Sequence, residues 1–182
     1  GVDSQGNPNP LNTHPEKCCG ADAQFNWYQQ IYDHLTLTLT NTVKASNPIN
    51  ISFTGGGNSS VVVNSTSGIV VNGSINNLQG TTTLVATGTN SSITVGANAN
   101  NPVISGTSVT LAADGGIGTL GANKAPVQVQ LYGGSLTASS IDRDIAISAI
   151  GALAINQVKV NSAGAMPQGN VFLSATGDIN SA

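Results

Sequence analysis

The sequence predicts an all-β fold, a parallel β-helix or solenoid, on three observations. Short stretches place apolar residues at every second position, one such stretch recurs with the same residue sizes in the same places, and the composition suits a thin core drawn out along an axis. Period-two alternation marks a strand with one buried face. Self-similarity at a period of roughly 20–50 residues marks a solenoid or similar array. Only 7% of residues are charged and 4% aromatic, against about 25% charged in an ordinary soluble domain. The 39% that are hydrophobic are mostly Val, Ile, Leu and Ala. A β-sandwich is the alternative, since many short strands with Gly-rich turns fit it as well. A sandwich, however, does not require one motif to recur with matched side-chain sizes.

In chain order, residues 1–34 read as an N-terminal tail or cap segment and residues 35–182 as the β-helix. Within the first, "ADAQFNWYQQIYDHL" sets Phe25, Tyr28 and Tyr32, with Ile31 and Leu35 nearby, at helical spacing. This predicts a short amphipathic helix or irregular cap over the first coil, where an open strand edge would invite pairing with other chains. "LTLTLTNT" (35–42) then puts Leu35, Leu37 and Leu39 on one face and Thr36, Thr38 and Thr40 on the other. Rows of Thr suit ice binding when coils are equal and the face is flat. The unequal coil lengths given below argue against such a plane, and outward Thr is ordinary for a strand.

From there the chain repeats apolar-x-aliphatic-x-small-x-Gly-x-aliphatic. Its central positions, Val63, Leu84, Leu111, Ile147 and Leu173, are the expected structural repeat core. Two residues earlier stand Val61, Thr82, Val109, Ile145 and Val171; two later stand Ser65, Ala86, Ala113, Ala149 and Ala175. The small residue leaves room for a bend, and Gly88, Gly115, Gly151 and Gly177 are expected to supply the backbone conformation of a corner. Ile69, Ile93, Ile117, Leu153 and Ile179 then start the next inward face. The central positions are separated by 21, 27, 36 and 26 residues, which suits a stack of coils with loops added at corners. "GANANNPVISG" (96–106) and "GANKAPVQVQLYGG" (121–134) read as such additions, the second with its own strand at Val127, Val129 and Leu131.

Charge and motifs narrow the chemistry. The net charge is −3 and the five Lys and Arg residues are scattered, so no basic stripe exists to neutralise phosphates and nucleic acid is not an expected partner. No run of 18 or more apolar residues is present, hence no transmembrane helix is expected. "GVDSQGNPNP" lacks the basic start and apolar stretch of a secretory leader, so the expectation is either a removed signal or an internal piece of a longer chain, and the uncapped last coil favours the second. Cys18 and Cys19 are adjacent, so a bridge between them would be strained, and a metal site that recruits His14 lacks further ligands. They read as candidates for cross-linking to another segment or chain in an oxidising compartment.

"DRD" at Asp142, Arg143 and Asp144 is the densest charge of the predicted rod. A polysaccharide-active β-helix would need acids for proton transfer, but no third acid or His lies near in sequence, and a solvated corner is the expectation. Nucleotide loops, nucleophile elbows and metal patterns are absent. Accordingly, no catalytic, cofactor-binding or metal residue is assigned and no cofactor is expected. Five Asn-x-Ser/Thr triplets, at Asn50, Asn58, Asn64, Asn72 and Asn90, fit chance in a chain this rich in Asn, Ser and Thr.

"VTLAADGGIGT" (109–119), the "PVQVQL" strand (126–131) and "LSATGDI" (173–179) resemble the repeat region of large bacterial exoproteins of the filamentous haemagglutinin type. The likeness covers about residues 50 to 182. It implies a right-handed parallel β-helix, export to the bacterial cell surface, and a role as adhesin, biofilm-matrix scaffold or carrier of a toxic tip; it assigns no functional residue.

The function expected from these features is a non-catalytic structural or adhesive segment of a secreted surface protein. Neighbouring segments or copies of the same protein, and cell-surface or matrix glycans, would be its partners. The alternative is a self-assembling subunit of an extracellular filament, joined by exposed coil edges and locked by Cys18 or Cys19. A polysaccharide-active β-helix enzyme stands third.

Overall fold

A chain that alternates apolar and polar residues can bury one face of each strand, but its backbone groups still need partners. Here the coil above and the coil below supply them. The computed structural model describes residues 36–41, 51–52, 59–162, 164 and 168–182; the expected cap at 1–34, with Cys18 and Cys19, lies outside the described residues. Chain order gives β1 (Thr36–Asn41) and β2 (Ile51–Ser52), then β3 (Ser60–Ser65), β4 (Ile69–Val71) and β5 (Ile75–Asn76) in the next coil. There follow β6 (Thr81–Ala86), β7 (Ile93–Val95) and β8 (Val103–Gly106), then β9 (Ser108–Ala113) and β10 (Val127–Leu131). The last coils hold β11 (Leu136–Ile141) and β12 (Ile145–Ile150), β13 (Leu153–Asn161) and β14 (Val171–Ala175), and finally β15 (Ile179–Ser181).

These strands form three parallel sheets. One has the order β1-β3-β6-β9-β11-β13-β15, the second β14-β12-β10-β8-β5-β2, and the third consists of β4-β7. Every neighbour in a sheet is the strand one coil away, so the fold is a parallel β-solenoid of about five turns with no helix among the described residues. A sandwich requires antiparallel sheets; among the described residues the one antiparallel pairing is the isolated bridge Thr119–Ala125.

Inside, equivalent side chains stack in ladders. On the first sheet Val63, Leu84, Leu111, Ala138 and Val158 occupy one position in successive coils. A column of β-branched residues runs Ile69, Ile93, Ile117, Ile145 and Val171. On the second sheet the ladder is Ile75, Ile104, Val129, Ala149 and Ala175. Leu84, Leu111, Ile93, Ile104, Ile117, Ile145 and Val129 are all fully enclosed. Burial of each large aliphatic contributes about 1.5–3 kcal/mol.

The recurring motif therefore serves two different corners. Val63, Leu84 and Leu111 share one ladder on the first sheet, whereas Ile147 and Leu173 stack on Val127 in the second. The five central positions are not equivalent. The true continuation of Leu111 is Ala138, and the 36-residue gap to Ile147 spans a coil plus a change of sheet.

The repeat glycines act differently from expectation too. Gly151 alone among Gly88, Gly115, Gly151 and Gly177 has a positive φ, at 83°. At Gly88 the constraint is close approach, because a Cβ there would lie 1.9 Å from the Thr66 carbonyl oxygen of the coil below. Other left-handed positions are held by Asn90, Asn101 and Asp142, and by Gly118, Gly121 and Gly133 outside the repeat. Asn and Asp tolerate that region better than other side chains.

Candidate functional site

A solenoid with a sealed interior offers function only on its outer faces, its corners and its ends. The corner between the first sheet and the isoleucine column carries the charged triplet. There, each Ile of the column donates its N–H to the corner of the next coil: Ile69 to the Ser92 carbonyl at 2.8 Å, Ile93 to Gly116 at 2.9 Å, Ile117 to Asp144 at 2.9 Å and Ile145 to Asn170 at 2.8 Å. Asp142 turns the chain with φ 50°, and the Ser140 hydroxyl donates to the Arg143 carbonyl at 2.7 Å.

Side chains then tie the corners together along the axis. Asp144 Oδ1 accepts from the Asn170 backbone N–H at 2.8 Å and from its side-chain amide at 3.2 Å. Asp114 Oδ2 accepts from the Asn90 N–H at 2.7 Å, and the Arg143 guanidinium donates to Asn90 Oδ1 at 3.2 Å. Asp144 and Asp114 thus cap backbone N–H groups of neighbouring coils, as a charged corner would require. Among the described residues no group of three or more His, Cys, Asp or Glu gathers to hold a metal ion.

The outer faces are uncharged over most of their area. On the first sheet Thr81, Thr83, Thr110, Thr137 and Ser139 point outward by alternation. Loops absorb the unequal coil lengths, and the register along this sheet holds from β3 to β11 but shifts at a bulge between β11 and β13, where Leu136 pairs with Ile155 and Thr137 with Gln157. The Thr row is nevertheless short: Val62 interrupts it, Asn156 donates to Thr137 Oγ1 at 3.1 Å, and Gln157 follows. A shallow depression of about 250 Å³ runs across this sheet, with Val85, Ala112 and Ser139 in it and Thr87, Asp114 and Asn161 at its edge. On the second sheet Ser148 and Ser174 hydroxyls meet at 3.1 Å.

Of the Asn-x-Ser/Thr triplets, Asn64 and Asn90 are exposed and Asn72 is half-buried; Asn50 and Asn58 lie outside the described residues. Position 96–102 is a loop, as the sequence implies, but Val103–Gly106 behind it is a full member of the second sheet. Sequence reasoning missed two arrangements. One is an internal polar set of Asn77, Thr82 and Ser105, all buried. The other is the Lys124 ammonium, 3.1 Å from the centroid of the Phe172 ring. Neither spacing, 28 residues for Asn77–Ser105 nor that between Lys124 and Phe172, follows from a local pattern.

The fold and these surfaces define the class, a parallel β-solenoid whose corners are stitched by hydrogen bonds. Among the described residues no helix is long and apolar enough to cross a membrane. No family model matches the chain, and no curated protein or solved structure matches it either.

Proposed function

We propose that this chain is a non-catalytic structural and adhesive segment of a secreted bacterial surface protein, an adhesin or biofilm-matrix scaffold. The observation that carries this reading is the division of labour in the solenoid. The interior is closed and mostly aliphatic, Asp114 and Asp144 are engaged in coil-to-coil bonds, and the outer faces present many hydroxyl and amide groups with a few aliphatics such as Val70 and Ile150. Such faces make many weak polar contacts with glycans or with a neighbouring filament, and the paired coils keep them rigid. The resemblance to exoproteins of the filamentous haemagglutinin type supports export and adhesion. The test is to locate the native polypeptide by fractionating cells and probing with an antibody to this chain, then to measure binding of chain-coated beads to matrix and cell-surface glycans. The expected result is antigen at the surface or in the medium, with saturable bead binding. Antigen confined to the cytoplasm, or beads that bind no better than an albumin control, would overturn the proposal.

A further inference from the structure

We infer that residues 118–126 form a strap that makes the coils from β10 to β14 open as one unit. In a simple solenoid each coil contacts only its neighbours, and an end coil frays alone. The strap breaks that rule. It leaves the wall at Gly118, where φ is 68°, is closed by reciprocal bonds between Thr119 and Ala125 of 2.9 and 3.0 Å, and rejoins the sheet at Val127. In the next coil the same wall is unbroken: Ile145 stacks on Ile117 and Ile147 on Val127, with Ala146 between.

Alternation turns Ala146 outward, yet it is fully buried. The strap covers it: a Cβ on Gly118 would sit 3.0 Å from the Ala146 Cβ, and the Ala146 N–H donates to the Ile117 carbonyl at 2.6 Å. Any larger side chain at 146 would push the strap away. One coil further, Phe172 pairs in register with Ala146, and the strap's Lys124 lies over its ring at 3.1 Å from the centroid. A segment of the β10 coil therefore crosses β12 and grips β14, two coils distant. A cation over an aromatic face is held by the ring quadrupole, so the latch depends on the charge of Lys124 as well as on its stem.

Native-state hydrogen exchange of the 182-residue chain, read by mass spectrometry, tests this with Lys124→Met, which keeps the stem and removes the charge, and Lys124→Arg, which restores it. Lys124→Met is expected to speed exchange of the Val171–Ala175 amides about two- to fivefold, leaving β6 and β9 at the wild-type rate; Lys124→Arg is expected to match wild type. Ala146→Leu, which displaces the strap without touching Lys124, is expected to expose the same amides. Unchanged exchange of Val171–Ala175 in Lys124→Met, or acceleration spread equally over β6 and β9, would overturn the inference. Should Ala146→Leu fail to fold, the two Lys124 variants decide alone.

Discussion

The Ser105 hydroxyl bridges two coils inside the solenoid: it accepts the Asn77 backbone N–H at 3.1 Å and donates to the Ile75 carbonyl at 2.8 Å. Around it, Thr82 Oγ1 donates to the Ser105 carbonyl at 2.7 Å, and the Asn77 amide donates to the Thr81 and Ser59 carbonyls at 3.0 and 3.3 Å. This polar set in a mostly aliphatic interior is tolerated because its donors have partners, while Asn77 Oδ1 is buried without one. Ser105→Ala strands the Asn77 N–H and is expected to lower stability by about 1–3 kcal/mol. Denaturant unfolding, with the slope unchanged, checks it.

Asn77 sharpens the same argument. Its amide nitrogen faces two carbonyl oxygens, an arrangement that only a donor can satisfy. Asn77→Asp has nearly the same shape but turns a donor into an acceptor in a fully buried site, and a loss of about 3 kcal/mol is expected. Equal stability of Asn77→Asp and wild type in urea would mean that the Asn77 side chain does not hold those carbonyls.

The repeat glycines separate two physical demands. Gly88→Ala places a Cβ 1.9 Å from the Thr66 carbonyl oxygen, so two coils must part, and thermal unfolding should shift well below wild type or the chain should fail to fold. Gly151 has open space around its missing Cβ but a φ of 83°, and Gly151→Ala is expected to cost only about 1–2 kcal/mol. Equal effects of the two substitutions would refute the distinction.

These contrasts show which parts of the fold can be read from sequence. Strand faces were legible at Val61–Val63, Val109–Leu111 and Val127–Leu131, because one buried face imposes alternation on consecutive residues. Coil-to-coil register was not. Leu111 is followed in its ladder by Ala138, since neighbouring ladders can share out volume, and a motif search for large aliphatics passes over that coil to Ile147. The corner at Asp142–Asp144 was visible as a charge cluster, but its partner Asn170 lies 26 residues on. Its left-handed Asp142 has no glycine to advertise it. The buried polar set and the Lys124 latch stayed hidden because long-range contacts between single side chains leave no periodic trace.

Asp144 gives a further test of the corner's role. Asp144→Asn keeps the oxygen that accepts from Asn170, so stability is expected within about 0.5 kcal/mol of wild type. Asp144→Ala removes the acceptor and is expected to cost about 0.5–1.5 kcal/mol. Chemical denaturation of the pair provides the measurement. The same Asp144→Asn variant discriminates against a polysaccharide-active enzyme, in which loss of the carboxylate would abolish turnover while leaving the fold intact.

The end of the stack yields the last prediction. Leu153 and Ile179 are register partners one coil apart, and their side chains differ little in apolar area, yet Leu153 is fully buried and Ile179 is 50% exposed. Leu153→Ala should therefore cost about 2–5 kcal/mol, through lost transfer free energy and a residual cavity. Ile179→Ala removes surface that is half in water already and should cost about 1 kcal/mol. The difference holds only while the last coil is uncovered. Urea titrations of both variants at low and high protein concentration expose that condition: a cost at Ile179 that climbs toward the Leu153 value with concentration means that another copy has stacked on the open edge. A cost that stays small at every concentration means that the edge remains free in solution.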